Sequence, residues 1–247
     1  MGRHSSEKMS ANWPKSLIMG EIRGPEALNA LQAGLAEPGG LLASISVRLP
    51  RVLTAETAMW FMQDVPHHRR LLVTGPVSVG KTMLLRWLAQ RDINPSDQVW
   101  SPGAGMDDTE DEPWVREWAT YTGFQSPASC EWILRDPLPF GRVCETLRLM
   151  ASQPSAGVLA ALALRRPEVL CEYLGWIAQS EHQGLTQDQV AGLIVQAFDT
   201  LVHVDRLPQD GTHCITRILS RTPEGQWVTQ YYWDPIRQQG VFGNDAA

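Results

Sequence analysis

Apolar positions along the chain switch between two periods, one suited to strands and one to helices. "LIMG" at Leu17–Gly20 reads as a first strand. The helix that follows, "PEALNALQAGLA", has Pro25 in its first turn and Leu28, Leu31 and Leu35 at helical spacing. "EPGG" then breaks the chain, and "LLASISV" reads as a buried strand. A helix over Thr54–Asp64 leads to the basic cluster "HHRR", a strand "LLVTG" and the amphipathic helix "TMLLRWLAQ". Residues 92–130 show no period; "SPGAGMDDTEDEPW" is acidic, rich in Gly and Pro, and reads as a surface loop. Order resumes with the strand "CEWILRD", a helix at Arg142–Ser152, the strand "GVLAALAL", and helices at Pro167–Ser180 and Thr186–Phe198. The closing segments "TLVHVDR", "HCITRILSR" and "QWVTQYYW" alternate as strands, separated by "PQDG" and "PEGQ" turns.

The pattern contains an echo. "LQAGLAEPGGLLASISVRLPRVL" from Leu31 and "LRLMASQPSAGVLAALALRRPEVL" from Leu147 both read helix, Pro-small turn, apolar strand, Arg, Pro, helix. Matching order and matching prolines favour a duplication over coincidence, with the N-terminal segment a half-module before a fuller one.

Composition narrows the classes. The chain has 247 residues, enough for one large α/β domain or two small ones, with 43% apolar and 19% charged positions, as in soluble globular proteins. A net charge of −6 argues against a surface devoted to nucleic acid. Cys130, Cys144, Cys171 and Cys214 lack any C-x-x-C spacing and read as buried free thiols in a reducing compartment. The polar start "MGRHSSEKMSANWPK" lacks the apolar core of a signal peptide, and "GVLAALAL" is too short to cross a bilayer. Any membrane association is expected through a partner. The ten tryptophans are scattered and read as core and interface packing rather than a stacking platform.

"GPVSVGKT", Gly75–Thr82, fits the phosphate-loop pattern G-x-x-x-x-G-K-[ST], with an apolar strand before it and a helix after it. Gly75 and Gly80 would let the backbone wrap closely, so that the N–H groups of Pro76's successors Val77, Ser78 and Val79 face phosphate oxygens. The helix starting near Lys81 adds its N-terminal dipole; Lys81 would reach the β- and γ-phosphates and Thr82 would ligate Mg²⁺. Hydrolysis also needs a carboxylate at a neighbouring strand end. Asp136 closes "EWILRD", with Glu131 at that strand's start, and Glu21 follows "LIMG" upstream. The acidic set Asp107–Glu112 reads as solvated loop. "HHRR" at His67–Arg70 reads as a solvated basic turn rather than a donor of an arginine to a phosphate. Arg165 and Arg166 face the same choice at a strand end that lines such sites, and His203 and His213 read as structural. With no metal-ligand spacing, the only metal inferred is Mg²⁺ accompanying nucleotide.

These residues together resemble the secretion ATPases of type II and type IV systems, including conjugation and pilus-assembly motors. "GPVSVGKT" resembles their phosphate loop and "DTEDEP" at Asp108–Pro113 their acidic box. "LIMGEIRGPEALNALQAGLAEPGGLLASIS" resembles their Gly-Glu-x-Arg strand and its sequel through Gly20, Glu21 and Arg23. "IVQAFDTLVHVDRLPQDGTHCITRI" with "GQWVTQYYWDP" resembles their closing β-region. The chain departs from the pattern where Gly-Glu is replaced by "ILRDPLPFG", and where "AALAL" and "SISV" lack the His-box histidine. No counterpart of the family's N-terminal domain is expected before the half-module, which has the acid without a phosphate loop.

The resemblance implies an α/β P-loop NTPase (RecA-like) sheet flanked by helices, with β-rich C-terminal strands. The organisation expected is a disordered 1–14, a partial half-module over 15–66, the NTPase domain over 67–235 and a tail over 236–247. It implies ATP and Mg²⁺ as cofactors and a diverged ATPase that powers or regulates macromolecule transfer or pilus assembly. An inactive P-loop scaffold or regulatory subunit docking a true motor is the alternative. Partners implied are further copies in a hexameric ring, or a related secretion ATPase, with the inner-membrane secretion or conjugation machinery. No direct contact with nucleic acid is expected, and the location implied is cytoplasmic, peripheral at the inner membrane through partners.

Overall fold

The computed structural model describes residues 51–64, 70–94, 97–100, 130–181 and 184–243. The strand at Leu17–Gly20, the helix after it, "LLASISV", the whole Glu21 segment, the acidic set Asp107–Glu112 and His67–Arg69 lie outside the described residues.

Chain order gives α1 (Ala55–Asp64), β1 (Arg70–Gly75), α2 (Lys81–Asp92), β2 (Val99–Trp100), β3 (Trp132–Arg135), α3 (Val143–Ser152) and β4 (Gly157–Ala163). A 3-10 turn (Pro167–Val169), α4 (Leu170–Ser180), α5 (Gln187–Ala197), β5 (Thr200–Arg206), β6 (His213–Arg221), β7 (Trp227–Asp234) and β8 (Gln239–Phe242) complete it. Among the described residues the strands form one sheet in the order β2-β3-β4-β1-β5-β6-β7-β8. β2 to β5 are parallel, and β6, β7 and β8 extend the sheet in antiparallel fashion.

The parallel half is covered on both faces, as continuous apolar runs such as "RLLVTG" and "GVLAALA" require. On one face Leu72, Val158, Ala160, Leu162 and Leu201 join buried side chains of α3, α4 and α5 in a single cluster. By strand alternation Leu71, Val73, Leu159 and Val202 turn to the other face. There α2 packs against β1 and β4, and Phe61 of α1 meets Trp87 of α2 edge-on. The result is a mixed α/β fold with a central sheet flanked by helices, consistent with a RecA-like P-loop NTPase architecture.

Local chemistry sets the element ends. Thr186 caps α5 in a capping box, its hydroxyl accepting from the Gln189 backbone while the Gln189 side chain accepts from the Thr186 N–H. Three expectations need correction. Val99–Trp100 pairs in parallel with Trp132–Ile133 inside the region read as irregular. Gln239–Phe242 pairs with β7 inside the segment read as tail. Arg70, grouped with a solvated basic turn, opens β1 and is buried at 7% exposure. Its guanidinium donates to the carbonyls of Met150, Gln153, Ala156 and Ala197. Those oxygens come from the C-terminal ends of α3 and α5 and the turn before β4, where the last helix carbonyls have no i+4 donor; Met150 and Gln153 also accept from the Gln153 and Ala156 N–H groups. Arg70 therefore clamps the sheet edge opposite the Gly75–Thr82 loop.

Candidate functional site

The carboxyl ends of the parallel strands converge on the Gly75–Thr82 loop. Gly75 ends β1 with φ at 151°, and a Cβ there would lie 2.2 Å from the Val204 carbonyl oxygen of β5, so only glycine fits. Ser78 has φ at 63°, an uncommon conformation for a residue with a side chain. Gly80 stands at the N-terminus of α2 in a left-handed conformation, φ 102° and ψ 16°, and gives that terminus no side-chain cap. The α2 terminus thus presents backbone donors without a side-chain capping bond. Val79 is buried beneath the loop, whereas Val77 is 75% exposed.

Lys81 folds back across this turn, its Nζ donating to the Pro76 carbonyl at 2.6 Å. Burial pushes the Lys81 pKa below the ordinary lysine value, and the Asp136 carboxylate opposes that shift. The two residues are therefore in each other's field, although β4 separates their strands. Asp136 follows β3 and is buried at 3% exposure. Two backbone bonds hold this edge together: Leu138 N–H donates to the Ala161 carbonyl at 2.7 Å, and Leu164 N–H to the Gly75 carbonyl at 3.0 Å. Of the acids singled out in the sequence, Asp136 is brought to Lys81. Glu131 sits at the opposite end of β3, accepting from the Gln98 N–H at 3.0 Å. Glu21 lies outside the described residues.

A second group of residues stands beside this edge. Thr74 and His203, paired across β1 and β5, place Oγ1 and Nδ1 2.9 Å apart. His203 is 4% exposed, and burial pushes its pKa down against the pull of Asp205 and Glu168. Glu168 itself is bonded to Arg217 of β6. No linear motif marks this set, because its members come from the 3-10 turn and three strands, β1, β5 and β6, with β1 far from the others in the chain.

A mixed sheet with a parallel half, helices on both faces and a glycine-bounded loop at its carboxyl edge are consistent with a P-loop NTPase-like architecture. No protein-family model matches the chain. No curated protein matches it either. Among solved structures it resembles the VirB11 ATPase from the Brucella suis type IV secretion system, determined in complex with sulphate. Identity is 16% and the TM-score 0.50, over 67% of this chain and 52% of that one. The chain thus spans about half the length of that ATPase. The likeness is one of fold: a partial structural match to a VirB11-type secretion ATPase, consistent with a diverged relative of that family.

Proposed function

We propose that the chain binds ATP with Mg²⁺ through Gly75–Thr82 and acts as a diverged secretion or conjugation ATPase. The observation that carries this reading is Lys81, held against the loop by the Pro76 carbonyl and facing the field of Asp136. A lysine ammonium so placed is released to a stronger acceptor when a phosphate oxygen enters the loop. The residues fit the group: uncapped donors at the α2 terminus, one cation and one hydroxyl in sequence, and one buried carboxylate across the edge.

Bound Mg²⁺ would neutralise charge on the transferring phosphoryl group. Lys81 would stabilise charge on the terminal phosphates, Thr82 would supply a metal ligand, and Asp136 would order the metal's water or the attacking water. Glu21 is the second acid for the same task. Phosphoryl transfer rests on positioning and charge, so losing the acid costs more in rate than in affinity. The role proposed is to power or regulate macromolecule transfer or pilus assembly, as a ring of copies or beside a related ATPase at the inner-membrane machinery.

A scaffold that binds nucleotide without turnover is the second reading. It is favoured by the β4 end, which runs Leu164–Arg165 with no histidine, and by the shorter aspartate at β3. Turnover assays on wild type, Asp136→Asn and Glu21→Gln separate the two. Hydrolysis lost in either variant marks an enzyme; stoichiometric binding with no turnover in wild type marks a scaffold.

A further inference from the structure

A cleft of about 880 Å³ opens between the 3-10 turn and the face of β5–β7, within the size range of small-molecule sites. One end is cationic. Arg165 and Arg166 follow β4 and are exposed, and their guanidinium groups make no hydrogen bond or ion pair among the described residues. Arg217 is engaged by Glu168, and burial pushes the His203 pKa down. Three guanidiniums against the carboxylates of Glu168 and Asp205 leave the lining with a surplus of one positive charge. That surplus sits on Arg165 and Arg166, whose guanidiniums bond to nothing among the described residues.

The other wall is aromatic, built from Trp227, Tyr232 and Trp233. The indole N–H of Trp233 is buried without an acceptor among the described residues. Buried donors are nearly always satisfied in folded proteins, so this one is a position where an added acceptor gains most. Adjacent guanidiniums match a phosphate dianion with bidentate geometry, and indole faces stack on heteroaromatic rings. A longer polyphosphate would bring further negative charge against Glu168 and Asp205.

We propose that this cleft is a second ligand site, distinct from the phosphate loop, that takes a nucleoside monophosphate. Its phosphate lies on Arg165 and Arg166 and its base against the Trp227–Tyr232–Trp233 wall. The structure thereby gives two of the ten tryptophans the stacking role that their scatter in the sequence concealed.

The test is calorimetric titration of AMP into the full chain carrying Lys81→Ala, which silences the phosphate loop. The result expected is one AMP per chain, weakened about thirtyfold or more by adding Arg165→Ser and Arg166→Ser. Those side chains are exposed and bond to nothing described, so the substitutions leave the fold intact, checked by thermal melting. Adenosine and ribose 5-phosphate, each lacking one recognised half, bind about tenfold or more weakly than AMP. The proposal is overturned if AMP does not bind at millimolar concentration, or if the double arginine variant binds it equally well. Ribose 5-phosphate matching AMP overturns it in favour of a bare phosphate site. A single-stranded oligonucleotide that binds through the same arginines and is not displaced by AMP overturns it in favour of a nucleic-acid groove. Because Lys81 is absent throughout, failure of the phosphate-loop reading leaves this outcome separately legible.

Discussion

Arg70→Met tests whether the buried arginine of "HHRR" is a structural clamp. The substitution keeps the aliphatic stem and removes every donor. Four carbonyls lose the guanidinium: Met150 at 2.5 Å, Gln153 at 2.7 Å, Ala156 at 2.8 Å and Ala197 at 3.0 Å, although Met150 and Gln153 still accept from the Gln153 and Ala156 N–H groups. A hydrogen bond to a charged donor contributes about 1.5–3 kcal/mol, and an abandoned buried carbonyl costs about 1–3 kcal/mol. The four are not additive, and removing the buried guanidinium recovers its desolvation cost, so the net loss is about 3–5 kcal/mol. That is a large share of the roughly 5–15 kcal/mol available to a domain. Urea denaturation followed by tryptophan fluorescence would read the loss as a lower midpoint. ATP affinity, measured well below that midpoint, stays within about twofold, because Arg70 stands at the edge of β1 opposite Gly75. A stability change under about 1 kcal/mol, or a large fall in ATP affinity in a fully folded variant, would refute the clamp.

Three further outcomes follow from the same geometry. Asp136→Asn removes the charge that opposes the burial-driven fall of the Lys81 pKa; the alkaline limit of Mg·ATP binding then moves to lower pH, and an unmoved limit would separate the two residues. His203 has a native pKa below its unfolded value of about 6.5, so the unfolded chain binds the extra proton. Stability therefore falls as pH drops from about 6.5 through the depressed native value. His203→Gln should flatten the loss between urea midpoints at pH 7 and pH 5. Burial pushes the Cys144 thiol up to about 11 and the Cys214 thiol up to about 12. Mass mapping of thiol labelling at pH 8 should find both on the order of a hundredfold slower than in urea.

Much of the fold is legible in the sequence because its elements are strongly patterned. "LLVTG", "GVLAALAL" and the 142–152 helix are recovered within a residue or two, since their apolar periods match what the sheet and the α3–α5 layer bury. Thr186 and Gln189 announce the start of α5 by spacing alone. Val99–Trp100 gives no comparable signal: a two-residue strand has no period, and its placement comes from pairing with β3. β8, "QGVF", is hidden by Gln and Gly, and it forms because β7 offers an edge. Arg70 was misread because charge beside two histidines suggests solvent, whereas its burial depends on carbonyls 80 or more residues away. For the site, the Gly75–Thr82 loop is a contiguous motif and the Asp136 strand end is a local one. The Thr74–His203 pair and the arginine-aromatic cleft are assembled from separated segments, and no spacing rule announces them.

The central claim is that Lys81 and its loop hold a nucleotide phosphate. Isothermal titration of Mg·ATP into wild type and Lys81→Ala chains, with thermal melts confirming equal folding, tests it most directly. Loss of one charge-assisted contact to phosphate predicts about a hundredfold or greater fall in affinity. Equal ATP affinity in the two proteins would contradict the assignment of Gly75–Thr82 as the site.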